Sequence, residues 1–170
     1  MLMKNIAEKM EIYNYITLEP EKPDVPFPQA NSFKLLIVAM NYIGYDSVKA
    51  KGLAEHLNYN VREGKYYIDA LRYLSICEKG TSVGEYILNQ KGRYILSSGR
   101  VNYFLVNEVL KHEPFHKAFG YYVANGEMPS KEHLIQFISD IGDNISGKTL
   151  GRRASTILAW INWVISCEIE

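Results

Sequence analysis

One segment, residues 58–74, constrains the fold of this chain more than any other. Read with a helical period, it puts Tyr67, Leu71 and Leu74 on one face. Arg62, Lys65, Tyr66, Asp69 and Arg72 fall on the other. Asn60 is a preferred N-cap type, and Glu63 stands three residues on, where a capping-box partner belongs. The segment is therefore expected to form an amphipathic helix whose outward face carries cations, long donors and one aromatic ring. That inventory suits a helix that reads DNA. It equally suits a solvated helix surface, so the flanking elements must decide.

Upstream, Asn31 or Ser32 caps an expected helix over 33–43, with Phe33, Leu36, Ile37, Met40 and Ile43 inward and Gly44 at its C-terminal turn. Asp46, Ser47 and Val48 form a short extended piece. A second helix over about 50–57 turns Leu53, Ala54 and Leu57 inward, and 58–60 make the turn into the cationic helix. Downstream, 76–79 and 85–88 read as two strands around a glycine-bracketed tip, Gly80 to Gly84. Asn89 then caps another helical turn.

Helix, short strand, helix, turn, helix, hairpin is the order of a winged helix-turn-helix. The segments Leu53-Ala54-Glu55-His56-Leu57, Tyr66-Tyr67-Ile68-Asp69-Ala70-Leu71-Arg72-Tyr73-Leu74 and Leu88-Asn89-Gln90-Lys91-Gly92-Arg93 resemble signature segments of winged-helix modules. Such modules occur in bacterial transcription regulators and, as DNA-binding parts, in restriction-modification and phage-defence proteins. The tyrosine-rich third helix inclines the resemblance toward the second group. It covers about residues 33–98, and Ser75 stands where these modules usually carry glycine.

The outer parts are read more coarsely. Residues 4–18 fit a short helix by the spacing of Ile6, Met10 and Tyr13, while 12–18 read equally well as a strand. Pro20, Pro23, Pro26 and Pro28 favour an extended linker, either a ligand for a proline-recognising domain or, the preferred reading, a stiff arm packed across a surface. The last third is helical: 100–111, a helix from Pro114 ending at Gly126, a Ser130-capped helix closed by Gly142, and a final helix over 148–165. That final helix turns Leu150, Ala154, Ile157, Ile161 and Val164 inward and exposes Lys148, Thr149, Arg152, Arg153 and Thr156. It resembles a second recognition-like helix, so the region is either a degenerate second winged helix or a plain helical bundle.

Composition narrows the function classes. The 170 residues contain no apolar run approaching a membrane span, and the first residues lack a signal-like apolar core. Two distant cysteines, Cys77 and Cys167, form neither a disulfide framework nor a zinc pattern, so a cytoplasmic setting is expected. The net charge is zero but unevenly spread. Residues 33–100 carry 10 Lys/Arg against 6 Asp/Glu, a net of +4, between flanks of −2 each.

Several enzyme-like spellings fail on context. Residues 142–149 match the phosphate-loop pattern G-x-x-x-x-G-K-T, but helical spacing precedes them and 21 residues follow Thr149, too few for the remaining βα units. Glycines and Lys148 before a helix suit a DNA phosphate instead. His112-Glu113-Pro114-Phe115-His116 matches H-E-x-x-H, but Pro114 disrupts the helical turn that must hold both histidines on one face. Pro23-Asp24 with Glu63-Gly64-Lys65 mimics a P-D…E-x-K nuclease, yet Glu63 and Lys65 fall in a helix rather than on a strand. His56 and His133 stand alone, and Asn144-Ile145-Ser146 is a chance glycosylation triplet.

The expectation is a mostly α protein with a small β-hairpin wing. Residues 1–31 form an arm with a proline-rich linker, 32–98 a winged helix-turn-helix, and 99–170 a helical, second winged-helix-like region. The expected activity is double-stranded DNA binding, as a regulator or as the recognition part of a restriction or defence system. It is not expected to be an enzyme, and no catalytic residue, metal or cofactor is assigned. The expected contacts are Arg62, Lys65, Tyr66, Asp69 and Arg72 on the helix, Lys79, Thr81 and Ser82 on the wing, and Lys148, Thr149, Arg152 and Arg153 as a second patch. A protein partner, a catalytic subunit or a second copy of the chain would complete the assembly, with no membrane involved. The alternative is a protein-interaction module that never touches DNA, which zero net charge and 13 tyrosines also fit.

Overall fold

Side-chain caps set most helix starts. A computed structural model describes residues 2–141 and 147–169, with side chains from residue 5 onward. In chain order the elements are α1 (Leu2–Tyr15), α2 (Phe33–Ile43), β1 (Val48–Lys49), α3 (Ala50–Leu57), α4 (Val61–Tyr73), β2 (Cys77–Lys79), β3 (Glu85–Leu88), α5 (Gln90–Ser97), α6 (Val101–Leu110), α7 (Glu113–Asn125), α8 (Lys131–Ser139) and α9 (Gly147–Ser166). Ser32 caps α2 through Leu35 N (3.3 Å), and Asn89 caps α5 through Gly92 N (2.9 Å). Asn60 caps α4 through Glu63 N (3.0 Å), and Glu63 Oε2 accepts from Asn60 N (3.3 Å), closing the expected capping box.

The chain divides into two compact units. A central unit comprises residues 22–101, and a terminal unit comprises 1–21 together with 102–170. The expected arm of 1–31 is thus split. Residues 2–15 are helical, which resolves the helix-or-strand ambiguity, and they pack with the C-terminal third.

In the central unit, Leu36, Met40, Leu53, Ile68, Leu71, Leu74, Ile76 and Leu88 are buried together. The strands form an antiparallel sheet in the order β1-β3-β2, with Val48 and Lys79 both opposite Tyr86. Gly64 lets α4 close on α3. A Cβ there would lie 2.7 Å from Ala54 Cβ and 2.8 Å from Ala50 O, nearer than side chains approach. The segment bearing the prolines crosses this unit without regular structure and buries Phe27 and Ala30, with the Phe27 ring 5.4 Å from that of Tyr73. This is the packed-arm arrangement. Ser75 takes the left-handed conformation (φ +57°) at the position where the winged-helix resemblance leads one to expect glycine. Its hydroxyl accepts from Lys22 Nζ and its carbonyl from Asn89 Nδ2 (2.8 Å), contacts that hold the turn in place.

In the terminal unit, α7, α8 and α9 enclose Phe115, Phe119, Leu134, Ile157, Trp160 and Ile161. Among its described residues the only β-type pairing is an isolated bridge between Glu19 and His112. Among the described residues of this region the regular elements are helices. Thr156 is fully buried, its hydroxyl donating to Arg152 O (3.2 Å), rather than exposed as the helical wheel predicts. Trp160 occupies the flank that would have exposed it, 5.1 Å ring to ring from Phe115.

Candidate nucleic-acid interface

The polar face of α4 is half-covered. Its charged residues are neighbours at helical spacing, so they meet one another before they meet solvent. Asp69 lies at the centre. One carboxylate oxygen, Oδ1, accepts from both Lys65 Nζ and Arg72 NH1, the latter at 3.1 Å. The Asp69 and Arg72 side chains are each 13% exposed, and that of Lys65 35%. Lys65 Nζ also lies 5.2 Å from the centre of the Tyr86 ring on β3, a cation–π contact that ties the helix to the sheet. The expected outward placement of Asp69 and Arg72 is therefore corrected: a helical wheel cannot see that the hairpin shields that flank.

Arg62 and Tyr66 stand further out, in the first turns of α4. Arg62 Nε donates to the Tyr66 hydroxyl at 2.6 Å, which braces the guanidinium on an exposed face. Lys79, Thr81 and Ser82 are exposed on β2 and its turn. Because Lys79 is the register partner of Tyr86, it shares the sheet face that Lys65 covers. Arg62, Lys65, Tyr66 and the wing residues are thereby brought to one unit around α4 and the hairpin. Lys148, Thr149, Arg152 and Arg153 begin α9 in the other unit, where Lys148 and Arg152 are exposed.

The residues of the enzyme-like matches take the following places. Residues 142–146 of the phosphate-loop match lie outside the described residues, and the element before them, α8, is a helix. His112 is the N-cap of α7, is buried, and has Nδ1 3.4 Å from Glu21 Oε1. His116 sits inside α7, stacked on Tyr13 at 4.1 Å with Nδ1 3.2 Å from Leu110 O, and burial holds its basicity down. Glu63 is committed to the capping box. Among the described residues no group of three or more His, Cys, Asp or Glu side chains is placed to hold a metal ion.

A family profile described as Domain of unknown function (DUF7226) matches residues 36–168. The chain belongs to the DUF7226 family. The DUF7226 match runs from within α2 to just past the end of α9 and leaves α1 and the proline-bearing segment outside it. No curated protein and no solved structure matches the chain.

In this DUF7226 chain, sequence reasoning left two hairpin positions without a role. Tyr86, which receives Lys65, could have been found from the hairpin register. Val83, at the hairpin tip, is 99% exposed, and Gly80 and Gly84, which bracket the tip, are the signal that could have found it.

Two buried groups beside the interface give it a pH signature. Burial pushes the Cys77 thiol up to about 12, and burial with the neighbouring Tyr59 pushes the Tyr67 hydroxyl up to about 12. In an unfolded chain these groups ionise near 9.0 and 10.0. Their protonated forms therefore contribute stability that is complete below those values and is lost as pH rises toward 12. Chemical denaturation should show stability unaffected by these groups up to about pH 9. Above it, stability should fall with a slope approaching about 1.4 kcal/mol per pH unit for each group. No fall by about pH 11 would contradict the burial of both.

Proposed function

We propose that residues 22–101 form a winged helix-turn-helix that binds double-stranded DNA, with α4 entering the major groove and the hairpin lying along the backbone. The observation that carries this reading is the Lys65–Tyr86 contact, which sets the cationic face of α4 beside the wing in a sheet of order β1-β3-β2. An α-helix fits the major groove, and cations on a neighbouring hairpin suit phosphates. The surplus of positive charge in residues 33–100 supports the same reading. Arg62 and Tyr66 are the contacts to base edges or the thymine methyl, and Lys79, Thr81 and Ser82 the contacts to the backbone. Lys148 and Arg152 form a separate phosphate patch. Such a site would serve a regulator or the recognition part of a restriction or defence system.

The test is a titration of a mixed-sequence duplex from about 50 to 200 mM salt. Affinity should fall steeply with salt, because cation–phosphate contacts release counterions. Arg62→Ala with Lys79→Ala should lower affinity about tenfold or more and leave the melting temperature nearly unchanged, since both side chains are exposed. Absence of measurable binding at about 50 mM salt would sink the DNA reading. It would favour the alternative, a protein-interaction module, for which the exposed Tyr45, Tyr94 and Val83 of the same unit are the supporting observation.

A further inference from the structure

We infer that Asp69 attenuates the hold of this surface on any duplex, as an internal anion that occupies Lys65 and Arg72 and competes with DNA phosphate for both. The inference rests on the DNA-binding reading above and assigns a role to a residue that does not itself need to touch DNA.

Both cations converge on a single oxygen of Asp69. The carboxylate is mostly shielded from water, so salt screens these pairs less than it screens a pair such as Lys51–Glu55, whose side chains are far more exposed and whose charged atoms are 3.9 Å apart. Tyr86 holds Lys65 from a second side. Lys65 is therefore held at two points, by Asp69 on its own helix and by Tyr86 on the sheet. A fastened cation gives little to a passing phosphate.

The consequence concerns affinity. Cations on a recognition helix attract any duplex, whatever its sequence, because phosphates are everywhere. An anion between two of them cancels part of that attraction for all sequences equally. A contribution equal for all sequences drops out of the difference between any two of them, so Asp69 lowers overall duplex affinity and its salt dependence and leaves discrimination to the base contacts. Arg62 and Tyr66, outside the Asp69 cluster, then carry a larger share of what remains.

The experiment compares the full chain with Asp69→Asn, Lys65→Gln and the double variant, binding a mixed-sequence duplex at about 50 mM salt and above. Asparagine keeps the shape and removes the charge. Asp69→Asn should bind about tenfold more tightly, with a log–log salt slope steeper by roughly one for each cation released. Lys65→Gln alone should cost less than about twofold, and in the Asp69→Asn background it should erase much of the gain. If the wild type binds and Asp69→Asn does not gain, the role of Asp69 falls and the DNA reading stands. If neither binds, both fall. Should Asp69→Asn fail to fold, Lys65→Gln decides alone: a loss of about tenfold would mean that Lys65 was already serving DNA and would overturn the inference.

Discussion

Gly92→Ala is expected to cost the central unit about 2–3 kcal/mol, enough to unfold a large share of a marginal domain. The added Cβ would lie 2.2 Å from the carbonyl oxygen of Ile76, 3.2 Å from its carbonyl carbon and 3.3 Å from Leu88 Cβ. The obstacle is backbone and cannot rotate away. Ile76 is also pinned, its N–H donating to Leu71 O (3.1 Å) and its carbonyl accepting from Asn89 N (3.2 Å). To admit a methyl group, α5 must lift from the turn between α4 and β2. That strains the Asn89 cap and the burial of Ile95. Alanine's better helix propensity returns up to about 1 kcal/mol, and the net estimate already allows for it. Thermal unfolding followed by circular dichroism checks it. A variant melting at or above the wild-type temperature would show that α5 sits less tightly than the distances say.

Lys9→Met should destabilise the terminal unit by about 3 kcal/mol, with a fall in melting temperature on the order of 10 °C. Lys9 is fully buried, and its ammonium donates to the carbonyls of Ile165 (2.9 Å) and Cys167 (2.6 Å). The C-terminal end of α9 has carbonyls with no partner inside the helix, and a cation there also meets the negative end of the helix dipole. Burial lowers the basicity of Lys9, and the Cys167 side opposes that shift. Methionine fills similar space but donates nothing, so Ile165 O is left without its donor from α1. Cys167 O keeps the amide of Asn5 (2.8 Å). Differential scanning calorimetry reads the unit's transition, and hydrogen exchange at the last turn of α9 locates the damage. An unshifted transition would mean that water replaces the ammonium at no cost.

Local chemistry made the central unit legible. Asn60 with Glu63, Ser32, Asn89 and Gly44 mark helix ends within a few residues, and the glycine-bracketed tip marks the hairpin. Each signal acts over three or four positions, the range over which a chain can be read without its neighbours. Burial, by contrast, depends on neighbours that the local pattern does not show. Asp69 and Arg72 look outward on a helical wheel because the wheel knows nothing of β2 and β3. Tyr73 is buried because Phe27, 46 positions earlier, lies against it. Thr156 is polar by composition yet satisfied within α9, so it tolerates the core. The α1 helix was ambiguous because its stabilising contacts come from the end of α9, 156 and 158 positions away for Lys9. For the candidate site, the residue types and the i,i+4 and i,i+3 spacing that pairs Asp69 with Lys65 and Arg72 are legible in sequence, whereas the burial of that cluster and its contact with Tyr86 come only from packing.

The split composition of the terminal unit dictates an order of events on the ribosome. Its first helix is made before residues 22–101, and the carbonyls that receive Lys9 are made after them. The continuous stretch 22–101 leaves the exit tunnel complete and can fold during synthesis, as chain segments with their own core do. Helix α1 must wait through all of it with its apolar side unsatisfied. Docking of α1 closes the longest loop among the contacts described, so its contacts with α9 are the most non-local of the unit.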